Sequence, residues 1–200
     1  MSLKPIFLEA YSPRWKKQFQ ELAQLYHQHL GDLAIGIEHV GSTAVEGLCA
    51  KPVIDIDIII ESTVQLKEII PIFKQLGYEY LGEVAIPDRF VFRQSSPKVP
   101  NDGSHRSWPK HHLYCCIAGS TALANHLILR DSLKADTNLA TAYAALKILL
   151  SQTSANMDEY VMGKTEFIAQ VLAQGGVSAQ QIELIAEQNK SVIPVDSRNC

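Results

Sequence analysis

The alternation of apolar and polar residues along the chain predicts a mixture of helices and strands. Apolar stripes at helical spacing predict helices over residues 12–30 and 62–76. Short β-branched or aromatic runs predict five strands, over residues 33–40, 53–60, 78–84, 89–94 and 110–118. From Ser120 the spacing is helical again, which predicts three further helices up to about residue 174 and a last one over 178–189.

This order of elements predicts an α/β fold. We expect a mixed sheet of about five strands with helices on one side, followed by a helical C-terminal part. Residues 1–119 are predicted to form the α/β core with its N-terminal helix, residues 120–190 the helical part packed on that core, and residues 191–200 a loose tail. A chain of 200 residues with 46% hydrophobic content has the length and composition of one such domain.

Composition narrows the classes of partner. A formal net charge of −3 argues against a general nucleic-acid binder. The four cysteines show no spacing typical of a metal site, and Cys115-Cys116 lies in an apolar run, so we expect reduced cysteines. No signal peptide or membrane span is apparent. The prediction is therefore a cytoplasmic protein without a membrane partner.

The strand predicted over 53–60 carries two aspartates among β-branched residues. Successive strand residues point to opposite faces, so Asp55 and Asp57 share one face. Two neighbouring carboxylates repel each other and are costly to bury, and a divalent cation removes that conflict. Mg²⁺ is usually held by one or two carboxylates plus substrate phosphates. The pair is a candidate site for Mg²⁺ or Mn²⁺; the alternative is a strand whose polar face simply meets water.

A glycine–serine turn precedes this strand. Gly41, Ser42 and Thr43 join the end of one predicted strand to a segment that suits a short helix. Glycine accepts a left-handed backbone, and a helix start offers backbone N–H groups to an anion. We interpret the turn as phosphate-binding, and His39 as a residue that either contacts the phosphate or orients the turn. Lys51 could reach the same phosphate or be solvated.

Three further positions are candidates from their residue types. Arg89 and Arg93 share one face of the fourth predicted strand, and forked guanidinium groups suit a triphosphate, unless that strand is a solvated edge. His112 on the fifth strand could act as a base or a metal ligand, or be a core histidine.

The turn, the twelve residues after Ser42 and the Asp55-x-Asp57 pair together resemble the signature of the DNA polymerase beta-type nucleotidyltransferase superfamily. The chain is more narrowly similar to the GrpB family, a branch of that fold. This similarity lies in residues 37–45, 47–48, 50–56 and 88–93. The resemblance implies a nucleotidyltransferase-like sheet in which the turn holds the triphosphate and the two acids hold metal. Tyr160 and Lys164 match a Tyr and a Lys of the family pattern, which implies contact with the nucleotide or the acceptor.

The resemblance implies a Mg²⁺-dependent nucleotidyltransferase that moves a nucleoside monophosphate from a triphosphate to an acceptor, with Asp55 and Asp57 as catalytic residues. His112 is added as a candidate catalytic residue from its own chemistry, because an imidazole can act as a base near neutral pH. Active enzymes of this fold usually carry a third carboxylate on a further central strand, and residues 110–118 contain no acid. The alternative is therefore a non-catalytic module that binds a nucleotide or another phosphorylated small molecule. A phosphoester hydrolase that uses the same metal pair is a third interpretation.

Overall fold

The computed structural model describes residues 6–84 and 86–184. The predictions for the tail over 191–200, for Cys200 and for the end of the helix expected over 178–189 lie outside these residues. No described helix is both long enough and apolar enough to cross a bilayer.

The described elements follow the predicted order, and residues 179–184, where a last helix is predicted, are also helical. The helices are α1 (Arg14–Leu30), α2 (Thr63–Gln75), α3 (Thr121–Ala135), α4 (Thr137–Thr153), α5 (Met157–Met162) and α6 (Thr165–Gln174). The strands are β1 (Gly36–Val40), β2 (Ile54–Ile60), β3 (Tyr78–Glu83), β4 (Arg89–Gln94) and β5 (His111–Ile117). The first strand is shorter than predicted: Gly31–Leu33 forms a short 3-10 helix, and β1 begins only at Gly36.

The five strands form one mixed sheet in the order β1-β2-β5-β4-β3. Strands β2 and β5 are parallel, and the other neighbouring pairs are antiparallel. The prediction of a five-stranded mixed sheet is confirmed. Strand β2, which carries the two aspartates, has a partner on each side and lies within the sheet.

Helices cover both faces of the sheet, whereas the sequence analysis expected one side. Ile54, Ile56, Ile58 and Ile60 of β2 point to one face and are fully buried there. They share a core with side chains of α1 and α2, namely Trp15, Leu22, Tyr26, Ile69 and Phe73. The aspartate face is crossed by α3, whose side chains contact Glu38 and Asp57. A second core joins the segment after the turn to α3 and α4 through Val45, Leu48, Leu133 and Tyr143.

Side-chain caps set where the C-terminal helices begin. Ser120 accepts the backbone N–H of Leu123 at the start of α3, and Asp136 accepts two N–H groups at the start of α4. The single helix expected over 156–174 is divided after Met162. A side chain at Gly163 would meet the Leu150 methyl at 2.4 Å, so the corner between α5 and α6 packs closely on α4 because it has none.

Candidate functional site

The glycine–serine turn lies directly against the first aspartate. Gly41 has a φ of 70°, a conformation that favours glycine. A Cβ atom on Gly41 would lie 2.3 Å from the Asp55 Oδ2 atom. Any other residue at position 41 would therefore be strained and would collide with the carboxylate, so the turn and Asp55 form one unit.

Hydrogen bonds of His39 and Thr43 hold the turn in place. The Thr43 hydroxyl donates to the carbonyl of Val53 at 3.3 Å, so it accepts the hydrogen bond from His39 Nε2 at 3.0 Å. The His39 ring stacks on Phe19 with 4.6 Å between ring centroids. Burial lowers the pKa of His39 to about 4, so the ring is neutral near pH 7. Of the two interpretations of His39, this geometry supports orientation of the turn, through the Thr43 side chain.

Ser42 is held by a lysine that the sequence analysis did not single out. Lys147 Nζ on α4 donates to Ser42 Oγ at 3.0 Å and to the carbonyl of Cys49. Only 2% of Lys147 is exposed, and burial lowers its pKa to about 8. A signal for it exists in the sequence: Lys147 lies four residues after Tyr143, on the apolar side of a helix, where a lysine needs a specific partner.

Asp55 is the more accessible of the two acids. Its Oδ1 atom pairs with His112 Nδ1 at 2.8 Å, and 29% of its side chain is exposed. Burial alone would raise the pKa of Asp55. The hydrogen bond and charge of His112, with the nearby His126 and His39, outweigh burial and hold that pKa below its usual value. Asp55 is therefore ionised at neutral pH and partly open to a ligand.

Asp57 is completely buried, and it is held by a histidine from the opposite helix. Its Oδ2 atom pairs with His126 Nδ1 at 2.7 Å, whereas its Oδ1 atom has no hydrogen-bond partner in the part of the chain that the structure describes. His126 is not among the residues predicted for the site. Leu123, His126, Arg130 and Leu133 recur at helical spacing, so the two polar residues lie on the same side of α3 as the leucines.

Arg130 ties the same helix to the sheet beside the turn. Its guanidinium donates to the Glu38 carboxylate at 2.5 Å and to the His39 carbonyl at 3.1 Å, and two further hydrogen bonds reach Asp131. Its side chain is only 12% exposed. Together with His126, Arg130 fixes the position of α3 over β1 and β2.

Three lysines surround the turn and Asp55, and we call Lys51, Lys147 and Lys164 the lysine cluster. Burial lowers the pKa of Lys164 to about 8, while the charge of Asp55 acts to raise it and that of Lys51 to lower it. Lys164 Nζ lies 4.7 Å from the centre of the Tyr160 ring. Lys51 Nζ lies 3.5 Å from the sulfur of Met157. The cluster concentrates positive charge where the sequence predicts phosphate.

The two arginines of β4 have different surroundings. Arg93 pairs with Glu79 of the edge strand β3, and both side chains are about half exposed. Arg89 lies over the ring of Tyr114, with 4.8 Å from its guanidinium carbon to the ring centre. Because Tyr114 is the register partner of Asp57, Arg89 lies close to the two aspartates. Arg93 instead forms an ion pair with Glu79.

The aspartate pair fits a cation that shares its ligands with a bound phosphate. Within residues 6–84 and 86–184, no group of three or more His, Cys, Asp or Glu side chains is arranged to hold a metal by itself. However, Asp57 has one unbonded buried oxygen, and the missing side chain of Gly41 leaves room at Asp55 Oδ2. Mg²⁺ commonly binds through one or two carboxylates and completes its shell with phosphates and water.

Comparison with known proteins places the chain in a family. A family model described as GrpB protein matches residues 5–174. The chain belongs to the GrpB family. The UPF0157 protein BH1888 of Halalkalibacterium halodurans is 30% identical over 181 residues, which cover 88% of this chain and 87% of that protein. YqkA of Bacillus subtilis is 32% identical over 159 residues, or 79% of this chain, which spans only 43% of YqkA.

Solved structures agree with the GrpB assignment. The crystal structure of conserved protein GrpB from Enterococcus faecalis aligns with a TM-score of 0.70 and 29% identity, covering 88% of this chain and 98% of that chain. The structure of Cid1 in complex with its short product ApU aligns with a TM-score of 0.48 and 15% identity, covering 69% of this chain and 41% of that chain. The first likeness shows the fold; the second is too distant to assign a function.

Proposed function

We propose that this member of the GrpB family is a Mg²⁺-dependent nucleotidyltransferase that binds a nucleoside triphosphate at the glycine–serine turn. The observation that carries the proposal is the contact between that turn and Asp55. Gly41 fits there only because it has no side chain. A turn that carries Ser42 and a carboxylate that binds metal are thus in contact, as a metal-bound triphosphate requires.

The lysine cluster supplies the charge that a triphosphate needs. Lys147 already donates to Ser42 Oγ, and the charge of Lys164 acts on Asp55. A buried ammonium group with a pKa near 8 is destabilised by its surroundings, and an incoming phosphate relieves that cost. We therefore assign the β- and γ-phosphates to Ser42, Lys147 and Lys164, and a supporting role to Lys51 and Tyr160.

Asp55 and Asp57 are the residues that would hold the metal. When bound, the cation would neutralise charge on the phosphates and polarise the phosphoryl group. The chain's own residues position it: His112 holds one oxygen of Asp55, and His126 holds one oxygen of Asp57. Both histidines leave the second oxygen of their carboxylate for another ligand, since each hydrogen bond uses only one.

The reaction is a substitution at the α-phosphorus. The oxygen of an acceptor hydroxyl forms a bond to the α-phosphorus, the bond from that phosphorus to the oxygen bridging to the β-phosphate breaks, and pyrophosphate leaves. The hydroxyl proton must go to a base. We assign it to His112, because Asp55 orients that imidazole at the acids and β5 offers no carboxylate.

Nucleotide binding and its dependence on Lys147 test the phosphate assignment. Calorimetric titration of the protein with ATP, GTP, CTP and UTP in the presence of Mg²⁺ is expected to show binding of at least one of them. Lys147→Met should weaken that binding about tenfold or more, because a charge-assisted bond to phosphate commonly contributes about 1.5–3 kcal/mol. The matched control is Lys67→Met on the exposed side of α2, which should bind like the parent. Equal affinity of Lys147→Met and the parent would contradict the assignment.

A binding module without catalysis is the second candidate. The observation in its favour is that β5, the strand beside the aspartates, carries no acid, and that Tyr114 occupies its register position opposite Asp57. Release of pyrophosphate from the bound nucleotide in the presence of candidate acceptors separates the two functions. Binding with no pyrophosphate release across a broad set of acceptors would favour the module.

The cytoplasmic location stays a prediction; Cys49, Cys115 and Cys116 are free thiols.

A further inference from the structure

Arg89 differs from the other arginines that the structure describes. Each of the others pairs with a glutamate: Arg14 with Glu9, Arg93 with Glu79, Arg106 with Glu21 and Arg130 with Glu38. The side chain of Arg89 has no hydrogen bond or ion pair to any described residue, and its Nε atom is buried without an acceptor. A buried donor of a charged group is unfavourable when it has no acceptor. An anionic ligand at Arg89 would supply that acceptor through a charge-assisted hydrogen bond and would therefore bind strongly.

The guanidinium of Arg89 is next to the two Asp–His pairs. It lies over Tyr114, 4.8 Å from the ring centre. The Tyr114 ring in turn lies 6.0 Å from the ring of His126 and 6.3 Å from that of His112, measured between ring centroids. One aromatic ring therefore separates Arg89 from the histidines that hold Asp55 and Asp57.

Arg89 and the glycine–serine turn lie on opposite sides of the acids. Val40, the last residue before the turn, is the partner of Asp55, whereas Arg89 is the partner of Cys116 and, through it, of Ile59. At the usual strand dimensions this places the two backbones about 13 Å apart along the strands and about 14 Å apart across the sheet. A triphosphate whose β- and γ-phosphates lie at Ser42 is too short to reach Arg89 as well.

In-line substitution places the attacking group opposite the leaving group. Pyrophosphate leaves on the side of Ser42, so the acceptor must approach from the side of Tyr114 and Arg89. We propose that Arg89 and Tyr114 form the acceptor subsite, and that the acceptor is a hydroxyl compound that also carries an anionic group, a phosphate or a carboxylate. This inference rests on the proposed function for the direction of approach, and on the unpaired Arg89 for the charge of the acceptor.

Tyr114 gives this subsite its shape. The guanidinium lies over the ring face, so the proposed anion binds at its edge. A forked arginine edge matches the paired oxygens of phosphate or carboxylate. The same ring fills the place beside Asp57 where a carboxylate would repel an anionic acceptor. Because β5 carries no acid, the subsite can accept an acceptor that is negatively charged.

The test is a titration of the full chain, labelled with ¹⁵N, with three small probes that share a hydroxyl-bearing carbon chain. The probes are glycerol 3-phosphate, glycerate and glycerol. The backbone signals of Val91 and Cys116 report on the Arg89 side, and those of Gly41 and Ser42 report on the turn. We expect the phosphate or the carboxylate probe to shift the signals of Val91 and Cys116, and glycerol to leave them unchanged; the probe that acts identifies the anion.

Variants assign the binding to Arg89. Arg89→Gln should weaken the effective probe at least tenfold, and Arg89→Lys, which keeps the charge, should retain part of the affinity. The matched control is Arg106→Gln, because Arg106 also lies over an aromatic ring but already has Glu21 as its partner. Unchanged affinity in Arg89→Gln, an equal effect of glycerol, or shifts confined to Gly41 and Ser42 would overturn the inference.

A separate titration with Mg²⁺ and a nucleoside triphosphate keeps the two proposals distinct. Shifts at Gly41 and Ser42 support the nucleotide site, and their absence with every triphosphate contradicts the proposed function. Probe binding at Val91 and Cys116 without any triphosphate effect would leave an anion site at Arg89 and remove its assignment as the acceptor subsite.

Discussion

The two faces of strand β2 differ in the side chains that they bury. On one face, Ile54, Ile56, Ile58 and Ile60 are fully buried against α1 and α2. On the other face, the two aspartates meet histidines, and one of them keeps an unbonded oxygen. The first face stabilises the fold through burial of apolar surface, whereas the second buries charged groups, which is unfavourable unless each group has a partner.

Histidines show the same contrast. His39 and His111 point to the isoleucine face, and burial lowers the pKa of each to about 4, so both rings are neutral near pH 7. His111 accepts from the Tyr78 hydroxyl and donates to the carbonyl of Pro109. His112 and His126 on the other face each pair with an aspartate. The neutral His111 belongs to the core and the neutral His39 supports the turn, whereas the Asp–His pairs belong to the candidate site.

The largest expected effect is a loss of stability when the isoleucine face is changed. Ile58→Ala removes a fully buried side chain and should lower the free energy of unfolding by about 2–5 kcal/mol. Nucleotide affinity should stay the same, because the aspartate face is untouched. Urea unfolding and calorimetric titration measure the two quantities. Val64→Ala, at a side chain that is 63% exposed, is the control and should change stability by less than about 0.5 kcal/mol. An Ile58→Ala variant that is as stable as the parent but binds nucleotide more weakly would contradict the separate roles of the two faces.

The next effect is acid destabilisation from the neutral histidines. Below pH 6.5, His39 and His111 become protonated in the unfolded chain. In the folded protein they stay neutral until the pH reaches their pKa of about 4. Stability from these groups is therefore complete above pH 6.5 and lost as the pH falls to about 4, by up to about 3 kcal/mol for His111. Urea unfolding across this range should show it. His39→Gln should flatten the profile, and the exposed His27→Gln should not; identical profiles for all three proteins would refute the assignment.

The smallest effect concerns protons taken up with the nucleotide. Lys147 and Lys164 have pKa values of about 8, lowered from 10.5 by burial, so a fraction of each is neutral at pH 8. A triphosphate favours the charged form, and binding at pH 8 should take up a fraction of a proton, roughly half for each lysine. Calorimetry in buffers of different ionisation enthalpy measures this. Lys147→Met should reduce the uptake by about half, while Lys67→Met should not; proton release on binding would contradict the assignment.

The sequence was sufficient to predict β2 and the turn, because alternation and glycine chemistry are local properties. Asp55 and Asp57 share a face as the period of two requires, and Gly41 lies against Asp55. It was not sufficient for Lys147 and His126, which reach the site from helices far along the chain. Their contacts depend on how α3 and α4 pack over the sheet, and spacing within one helix does not give that.

The arginines of β4 show a second limit. Alternation correctly places Arg89 and Arg93 on one face, but it does not tell which of them has a neighbouring carboxylate. Glu79 lies on β3, so the pairing with Arg93 follows from the register of two strands. Within residues 6–84 and 86–184, the side chain of Arg89 has no carboxylate partner, and this difference makes it a candidate for binding an anion.

The most direct test of the aspartate face as a metal–triphosphate site is the melting temperature of the parent and of Asp57→Asn, with and without Mg²⁺ and each common nucleoside triphosphate. A ligand at a hundred times its dissociation constant stabilises the folded state by about 2.7 kcal/mol, or roughly 5–10 °C for a chain of this size. We predict this rise in the parent with Mg²⁺ and triphosphate together. In Asp57→Asn, whose amide oxygen can still accept from His126, we predict equal or higher stability without ligand and no rise. A parent that responds to no triphosphate, with a destabilised Asp57→Asn, would contradict the account.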